Sequence, residues 1–299
     1  MSNFKGPIYL LVCSIIWGST FVAQSLGMDS LGPFSFNTAR FLVGFITLLP
    51  IVLIRINKAK KTRSDFNKYV KTSILNGLTI GIFTGAASSF QQYGLLKASA
   101  SKAGFLTALY IVLVPIIGLL FKRRIQRNAI FAVTLAMVGF YLLSVKSDFT
   151  IELSDIYLII CAVLYSFQII LIDIYDDYSD PIIMSQMQLV PSFFMSLILM
   201  LIFKEQPTIM DFKSAAVPIL YAGVLSLGVA YTFQIIGQKY TEPTLATLIM
   251  SLESVFAAIT GYLFQNDILT TREFMGCVII FISVIICQID FKRIKNILK

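Results

Sequence analysis

The chain carries GAASSFQQYG at residues 85–94 and GVAYTFQIIG at residues 228–237, two stretches that lie 143 residues apart. The offset of 143 holds from residue 85 to residue 131. Of these 47 positions, fourteen carry the same residue as the position 143 residues later. The start of the chain repeats with an offset of 148, as in the pair Cys13 and Cys161. The chain is therefore predicted to contain two copies of one structural unit.

The composition predicts a membrane protein. Of the 299 residues, 57% are hydrophobic and 13% are charged, and the mean hydropathy is +0.82. Because an ordinary soluble domain contains about 25% charged residues, a soluble fold of this size would have too little polar surface to face water. The composition thus excludes a soluble enzyme, a nucleic-acid-binding protein and a disordered chain. At about 20 residues per span, the chain has room for roughly ten transmembrane helices.

The predicted architecture is an all-α membrane protein with ten transmembrane helices in two inverted five-helix repeats. Because each repeat has an odd number of spans, the two copies must have opposite orientations in the membrane. The first repeat is expected at 1–146, the second at 147–291 and a basic tail at 292–299. The ten spans are placed at 7–26, 33–54, 72–96, 99–121, 127–145, 155–174, 181–203, 214–238, 243–264 and 271–290.

Basic residues predict the orientation of these spans. With the amino terminus inside, the cytoplasmic segments carry 17 Lys and Arg residues and the opposite side carries six. The chain is therefore predicted to be a multi-pass protein of the cell membrane, with the lipid bilayer around it and both termini in the cytoplasm.

Two further features concern helix packing. Gly77, Gly81 and Gly85 are expected to allow a close helix contact, and Pro115 is expected to bend the fourth span.

Four segments resemble motifs of a known family. They are WGSTF at 17–21, Arg40 in the second span, FLTALYIVLVP at 105–115 and SLESVFA at 251–257. Together with the two five-span halves, they resemble the drug/metabolite transporter superfamily and, within it, the EamA-type ten-span transporters. The resemblance implies a transporter of small metabolites, often amino acids that move outward.

The chain departs from the family pattern at two positions. Ser254 stands where proline is common, and Arg124 stands after the fourth span at a position that is often acidic, whereas Asp267 at the corresponding position after the ninth span is acidic. The serine puts the shape of the ninth span in doubt, and Arg124 argues against a coupling role for its loop.

Two charged residues are the leading candidates for a functional site, because charge in the bilayer interior is costly. Glu253, near the middle of the ninth span, is a candidate to bind a cationic group of the substrate or a proton; the alternative is a structural carboxyl group. Its counterpart in the first repeat is Tyr110. Arg40 either contacts a substrate carboxylate or reaches towards the interface. An Arg40–Glu253 site would suit a zwitterion such as an amino acid.

Aromatic and amide side chains complete the predicted site. Cys13, Trp17, Thr20 and Gln24 share one face of the first span, because they are three or four residues apart. The corresponding face of the sixth span carries Tyr165 and Gln168. Helix packing is the alternative explanation for both faces, as it is for the repeat-related amides of the third and eighth spans. The predicted substrate-binding residues are Trp17, Tyr110, Tyr165, Gln168, Glu253, Arg40, Gln91 and Gln234.

The predicted function is secondary-active transport of small metabolites such as amino acids, by export or exchange. Alternating access would expose a mid-membrane site between the repeats to each side in turn. A coupling proton or a counter-substrate is a further expected partner, and nucleic acid is not. Transport of amines, drugs or nucleoside-like metabolites is an alternative, as is a channel or lipid-translocating protein. An enzyme is disfavoured, because the chain has no histidine and one mid-membrane carboxylate; neither a cofactor nor a metal is expected.

Overall fold

The structure is a computed structural model that describes residues 4–120, 127–144, 152–175, 178–265 and 270–288. Arg124, Asp267 and the predicted tail at 292–299 lie outside these residues. The described chain consists of helices and the turns between them. The first half contains six α-helices: α1 Lys5–Met28, α2 Pro33–Thr62, α3 Phe66–Gly94, α4 Ala100–Thr107, α5 Tyr110–Leu120 and α6 Arg127–Ser144.

The second half repeats this order with one difference in its third span. It contains α7 Leu153–Tyr175, α8 Pro181–Ile202, α9 Ile209–Ser214, α10 Ala216–Leu220, a π-helix Tyr221–Ala230, α11 Tyr231–Gln238, α12 Pro243–Met250, α13 Glu253–Gln265 and α14 Thr271–Gln288. Eight helical segments in the described chain are long and apolar enough to cross a membrane. The fifth and tenth predicted spans fall on α6 and α14, which have 18 residues each.

Helix packing relates the two halves by a pseudo-two-fold axis. α3 packs on α8, and the π-helix packs on α2; α1 packs on α13, and α7 packs on α4 and α5. The counterpart of α3 is the span that contains the π-helix, and the counterpart of α8 is α2, so the first two contacts are repeat-related. In the same way, α1 corresponds to α7, and α13 corresponds to α5. α6 and α14, which are counterparts of each other, also pack together.

The same relation holds for individual residues. A Cβ atom on Gly94 would lie 2.8 Å from Cγ of Leu158, and one on Gly237 would lie 2.7 Å from Cγ of Leu10. Gly94 corresponds to Gly237 and Leu10 corresponds to Leu158, so the two close contacts are repeat-related. The internal repeat in the sequence is thus a repeat in the packing.

The fourth and ninth spans are broken helices. The first is interrupted at Ala108-Leu109, between α4 and α5, and the second at Ser251-Leu252, between α12 and α13. These two positions are counterparts at the 143-residue offset. Pro115 was expected to bend the fourth span, but it lies inside α5, six residues beyond the break. The break is therefore not at the proline.

Ser254 links the two broken helices. Its hydroxyl donates a hydrogen bond to the carbonyl oxygen of Gly104 in α4, with an O···O distance of 3.0 Å. A proline at this position has no side-chain donor, so this departure from the family pattern adds a contact between the repeats.

Two carboxylates join α2 and α8 at opposite ends of the helix pair. Glu205 follows α8 and accepts hydrogen bonds from the backbone N–H groups of Phe34 (3.2 Å) and Ser35 (2.7 Å) in the first turn of α2. At the other end, Asp180 caps α8 and forms a 2.7 Å ion pair with Arg55. The α2–α8 pair is thereby held at both of its ends.

The three glycines of α3 pack against α8 as expected. Gly77 contacts Met184, Gly81 contacts Gln188, and a Cβ atom on Gly85 would lie 2.7 Å from Cα of Ser192. Because the last of these contacts is with backbone, α8 would have to shift to make room for a side chain.

We predict that Gly85→Ala lowers the free energy of unfolding by about 1–3 kcal/mol, the usual cost of an added methyl group in a close-packed contact. Gly104→Ala is the matched control, because its Cβ would meet its nearest neighbour at an ordinary 3.4 Å. Thermal unfolding in detergent compares the two variants. Equal melting temperatures would show that α3 and α8 are not in close contact at Gly85.

Candidate functional site

A single cavity collects the predicted site residues. It lies beside the breaks of the fourth and ninth spans, and the empty space between its lining side chains, mouth included, is about 500 Å³. All eight residues that the sequence singled out line it: Trp17, Arg40, Gln91, Tyr110, Tyr165, Gln168, Gln234 and Glu253.

Tyr110 and Glu253 meet across the repeat interface. Each is the first residue of the half-helix that follows a break, and the Tyr110 hydroxyl donates a 3.0 Å hydrogen bond to Oε1 of Glu253. Both side chains are buried. The helix dipole of α13 favours a negative charge in its first turn, which is where Glu253 lies. The repeat thus brings two counterpart residues into contact, but one is an acid and the other a phenol.

Arg40 is held in place by neutral and aromatic groups. Its Nε donates a 2.8 Å hydrogen bond to Oδ1 of Asn37, and its guanidinium carbon lies 5.5 Å from the centre of the Phe41 ring. Asn37 in turn donates to the carbonyl oxygen of Ser88. Among the described residues, no carboxylate lies within the 4.0 Å of an ion pair with Arg40. The side chain is 3% exposed, so this cation is buried without a counter-charge from the described chain.

Aromatic side chains form one wall of the cavity. The Tyr165 hydroxyl is hydrogen-bonded to the Ser88 hydroxyl at 2.9 Å, and Tyr231 donates to Tyr165 at 3.2 Å. The rings of Trp17 and Tyr231 pack edge to face with their centres 5.2 Å apart. This wall offers π faces, which attract cations.

Gln168 and Gln234 join α7 to α11 by two reciprocal amide hydrogen bonds, each of 3.1 Å. Their counterparts in the other repeat, Thr20 and Gln91, are not joined in this way. Gln91 donates to Thr107 at 3.3 Å, and Thr20 donates to the carbonyl oxygen of Ile16. The two repeats therefore differ in the contacts on the two sides of the cavity.

An apolar cluster lies between this amide pair and the end of the bundle where Lys5 begins α1, which we call the Lys5 end. It consists of four fully buried side chains, Ile80, Ile172, Met184 and Ile235. The amide pair and the cluster therefore lie on the Lys5 side of the cavity.

Several lining residues were missed by the sequence reasoning. Tyr231 and Thr107 are three residues before Gln234 and Tyr110, so helical spacing alone would place them on the same faces. Ser226 and Leu227 belong to the π-helix, which the sequence did not indicate. Thr20 and Gln24 lie on the face of the first span that the spacing singled out, although they were not among the eight predicted residues; Phe21 and Ile169 were not indicated.

Some residues on the predicted faces do not line the cavity. The Cys13 thiol donates to the carbonyl oxygen of Ala230, and Ile172 belongs to the apolar cluster. Gln188, the counterpart of Arg40, accepts a hydrogen bond from Thr84 within the α3–α8 contact.

Within the described residues, no group of three or more Cys, Asp or Glu side chains is placed to hold a metal ion.

The fold and the cavity define a class of protein: a multi-pass helical membrane protein built from two related halves around a central cavity, as transporters are. The sequence profile of the EamA-like transporter family matches residues 4–145 and, a second time, residues 152–288. The chain therefore belongs to the EamA-like transporter family, and the family predicted from the motifs is confirmed.

Known relatives agree with this assignment. An uncharacterized transporter of Archaeoglobus fulgidus is 32% identical over 94% of this chain and 84% of its own length. The uncharacterized transporter YoaV of Bacillus subtilis is 21% identical over 97% of this chain and 99% of its own. A crystal structure of a protein with 15% sequence identity has a TM-score of 0.77 and covers 98% of this chain and 99% of its own, so it shares the fold.

We predict that Gln168→Leu and Gln234→Leu each lower the free energy of unfolding by about 1–3 kcal/mol, because each leaves a buried amide without its partner. The double variant should recover most of this loss, since it removes both polar groups. Thermal unfolding of the two single variants and the double variant measures the energetic coupling between the two amides. Losses that simply add in the double variant would contradict the reciprocal hydrogen bonds.

Proposed function

We propose that this chain is a secondary transporter that carries a small zwitterion, such as an amino acid, through the central cavity. One observation carries the proposal: a basic side chain, Arg40, and an acidic one, Glu253, line the same buried cavity. Within the described residues neither of them forms an ion pair. A bound zwitterion would supply a carboxylate to Arg40 and an ammonium group to Glu253.

The energetics favour such a ligand. A buried charge is costly unless it is paired, and an empty cavity leaves this cost uncompensated for Arg40. A charged ligand group with hydrogen bonds to its partner recovers about 1.5–3 kcal/mol per contact. The aromatic wall formed by Trp17, Tyr165 and Tyr231 would add cation–π attraction to the ammonium group.

Alternating access is the mechanism that the inverted repeat supports. In this proposal the hydrogen bonds between Gln168 and Gln234 help to close the cavity towards the Lys5 end, which the basic residues predict to be cytoplasmic. We expect the opposite state to break this amide pair and to bring together the counterpart side chains, Thr20 and Gln91. Outward transport, by export or exchange, is the direction that the family resemblance implies. Glu253 is the group that we expect to take up a coupling proton if one is used.

We propose no catalytic role for the cavity. Glu253 is the one carboxylic acid among its described lining residues, whereas an intramembrane aspartyl protease needs two facing acids. Amine transport is the second candidate function. It is favoured by the aromatic wall beside Glu253, which together would bind a cation without help from Arg40.

We predict that Glu253→Gln reduces counterflow of its amino-acid substrate in proteoliposomes by at least about tenfold, because a neutral amide loses the charged contact to the ammonium group. Leucine, methionine and phenylalanine, with the corresponding amines, form the test panel. Glu273→Gln is the matched control, because Glu273 caps the start of α14 and does not line the cavity.

Three results decide between the candidates. Loss of amino-acid counterflow in the Glu253 variant alone supports the zwitterion transporter. Counterflow of the amines without the amino acids would replace it by the amine transporter. Wild-type rates in the Glu253 variant would remove this carboxylate from the transport mechanism.

A further inference from the structure

Gln24 lies at the same depth in the bundle as Arg40. α1 and α2 are consecutive helices joined by the short turn at 29–32, so they run in opposite directions. Gly27 of α1 packs against the ring of Phe36 in α2. Gln24 is about one helical turn before Gly27, and Arg40 is about one turn after Phe36. Both residues therefore lie about one turn deeper than this contact, and both line the cavity.

The Gln24 amide is buried without a hydrogen-bond partner for its oxygen. The side chain is 2% exposed, and Oε1 has no partner among the described residues. Leaving a buried polar group unpaired costs about 1–3 kcal/mol, so an unpaired amide in the cavity wall is a group that a bound ligand can satisfy. Its counterpart in the other repeat is Ile172, which is packed in the apolar cluster near the Lys5 end. The amide is thus specific to one end of the cavity.

Arg40 and Gln24 offer complementary donors at this end. Asn37 occupies Nε of Arg40, and a guanidinium group has four further N–H donors. The unpaired atom of the Gln24 amide is its oxygen, which is an acceptor. A half-turn about the last side-chain bond exchanges the oxygen and the NH₂ group, so that the NH₂ group donates from the same position. Glu253 lies deeper, because its backbone packs against Gly18 of α1, fewer than two turns from Gln24. The cavity therefore has a donor-rich end and an acidic end.

We propose that Gln24 is a specificity-determining residue that binds the substrate carboxylate together with Arg40. Arg40 supplies the charge, and the Gln24 amide donates a hydrogen bond to a carboxylate oxygen. This inference rests on the proposed transport of a zwitterion, and it adds a residue that selects an amino acid over the amine that lacks the carboxylate.

The test compares pairs of ligands that differ only in the carboxylate. Leucine, methionine and phenylalanine are each paired with the decarboxylated amine, and affinity is measured from the ligand-dependent rise in melting temperature of the full chain. Gln24→Leu should weaken binding of the amino acid about 5- to 10-fold, the effect of one hydrogen bond. Binding of the amine should change less than about twofold. The ligand-free melting temperature should not fall, because the variant removes an unpaired polar group.

Gln92→Leu is the matched control. Gln92 is buried, and both polar atoms of its amide are unpartnered, but it does not line the cavity. The ratio of amino-acid to amine affinity should therefore stay at the wild-type value in this variant. An equal change of this ratio in both variants would contradict a carboxylate contact at Gln24.

The remaining outcomes separate this inference from the proposed function. If the wild type binds amino acids more tightly than amines and Gln24→Leu leaves both affinities at the wild-type values, the Gln24 contact is rejected and the transporter proposal stands. If Gln24→Leu weakens both ligands equally, its role is structural. If the wild type binds no amino acid of the panel, both proposals are rejected.

Discussion

The hydrogen bond from Tyr110 to Glu253 connects the two repeats at the point where both broken helices restart. A carboxyl group in an apolar bundle needs a polar partner, and the repeat supplies it from the equivalent position of the other half. The breaks at Ala108-Leu109 and Ser251-Leu252 interrupt the helices directly before these two residues. The cavity and the contact between the two halves at Tyr110 and Glu253 thus lie beside the breaks.

The two repeats share their helix packing but differ in the side chains that line the cavity. The helix contacts obey the pseudo-two-fold relation, down to the glycine–leucine pairs that involve Gly94 and Gly237. The side chains in the cavity do not, since Arg40 corresponds to Gln188 and Gln24 corresponds to Ile172. The π-helix at Tyr221–Ala230 also has no counterpart, because residues 78–87 are α-helical. The two halves thus share their packing, whereas their unequal side chains make the chemistry of the cavity asymmetric.

Much of the candidate site could be predicted because two simple regularities determine it. The 143-residue offset related Gln91 to Gln234 and Tyr110 to Glu253, and helical spacing related Trp17 on α1 to its neighbours on one face. Polar side chains in an apolar bundle must turn inward, so these residues meet in one place. The eight predicted residues therefore line one cavity.

The rest of the site depends on backbone geometry that the sequence does not reveal. The breaks fall in apolar segments without glycine or proline at the interrupted positions, and Pro115, which was expected to bend the span, lies inside α5. Ser226 and Leu227 of the π-helix line the cavity, and no residue pattern marks this helix. Local periodicity therefore does not reveal either feature.

Trp17 can report directly whether the substrate binds in the central cavity, because it is the only tryptophan in the chain and it lines this cavity. The measurement is its fluorescence while the purified protein is titrated with an amino acid that it transports. Binding in the central cavity predicts a saturable change in emission, with half-saturation at the concentration that half-saturates transport, and loss of this change in Glu253→Gln. Unchanged Trp17 emission at concentrations that saturate transport would place the substrate elsewhere and contradict the account.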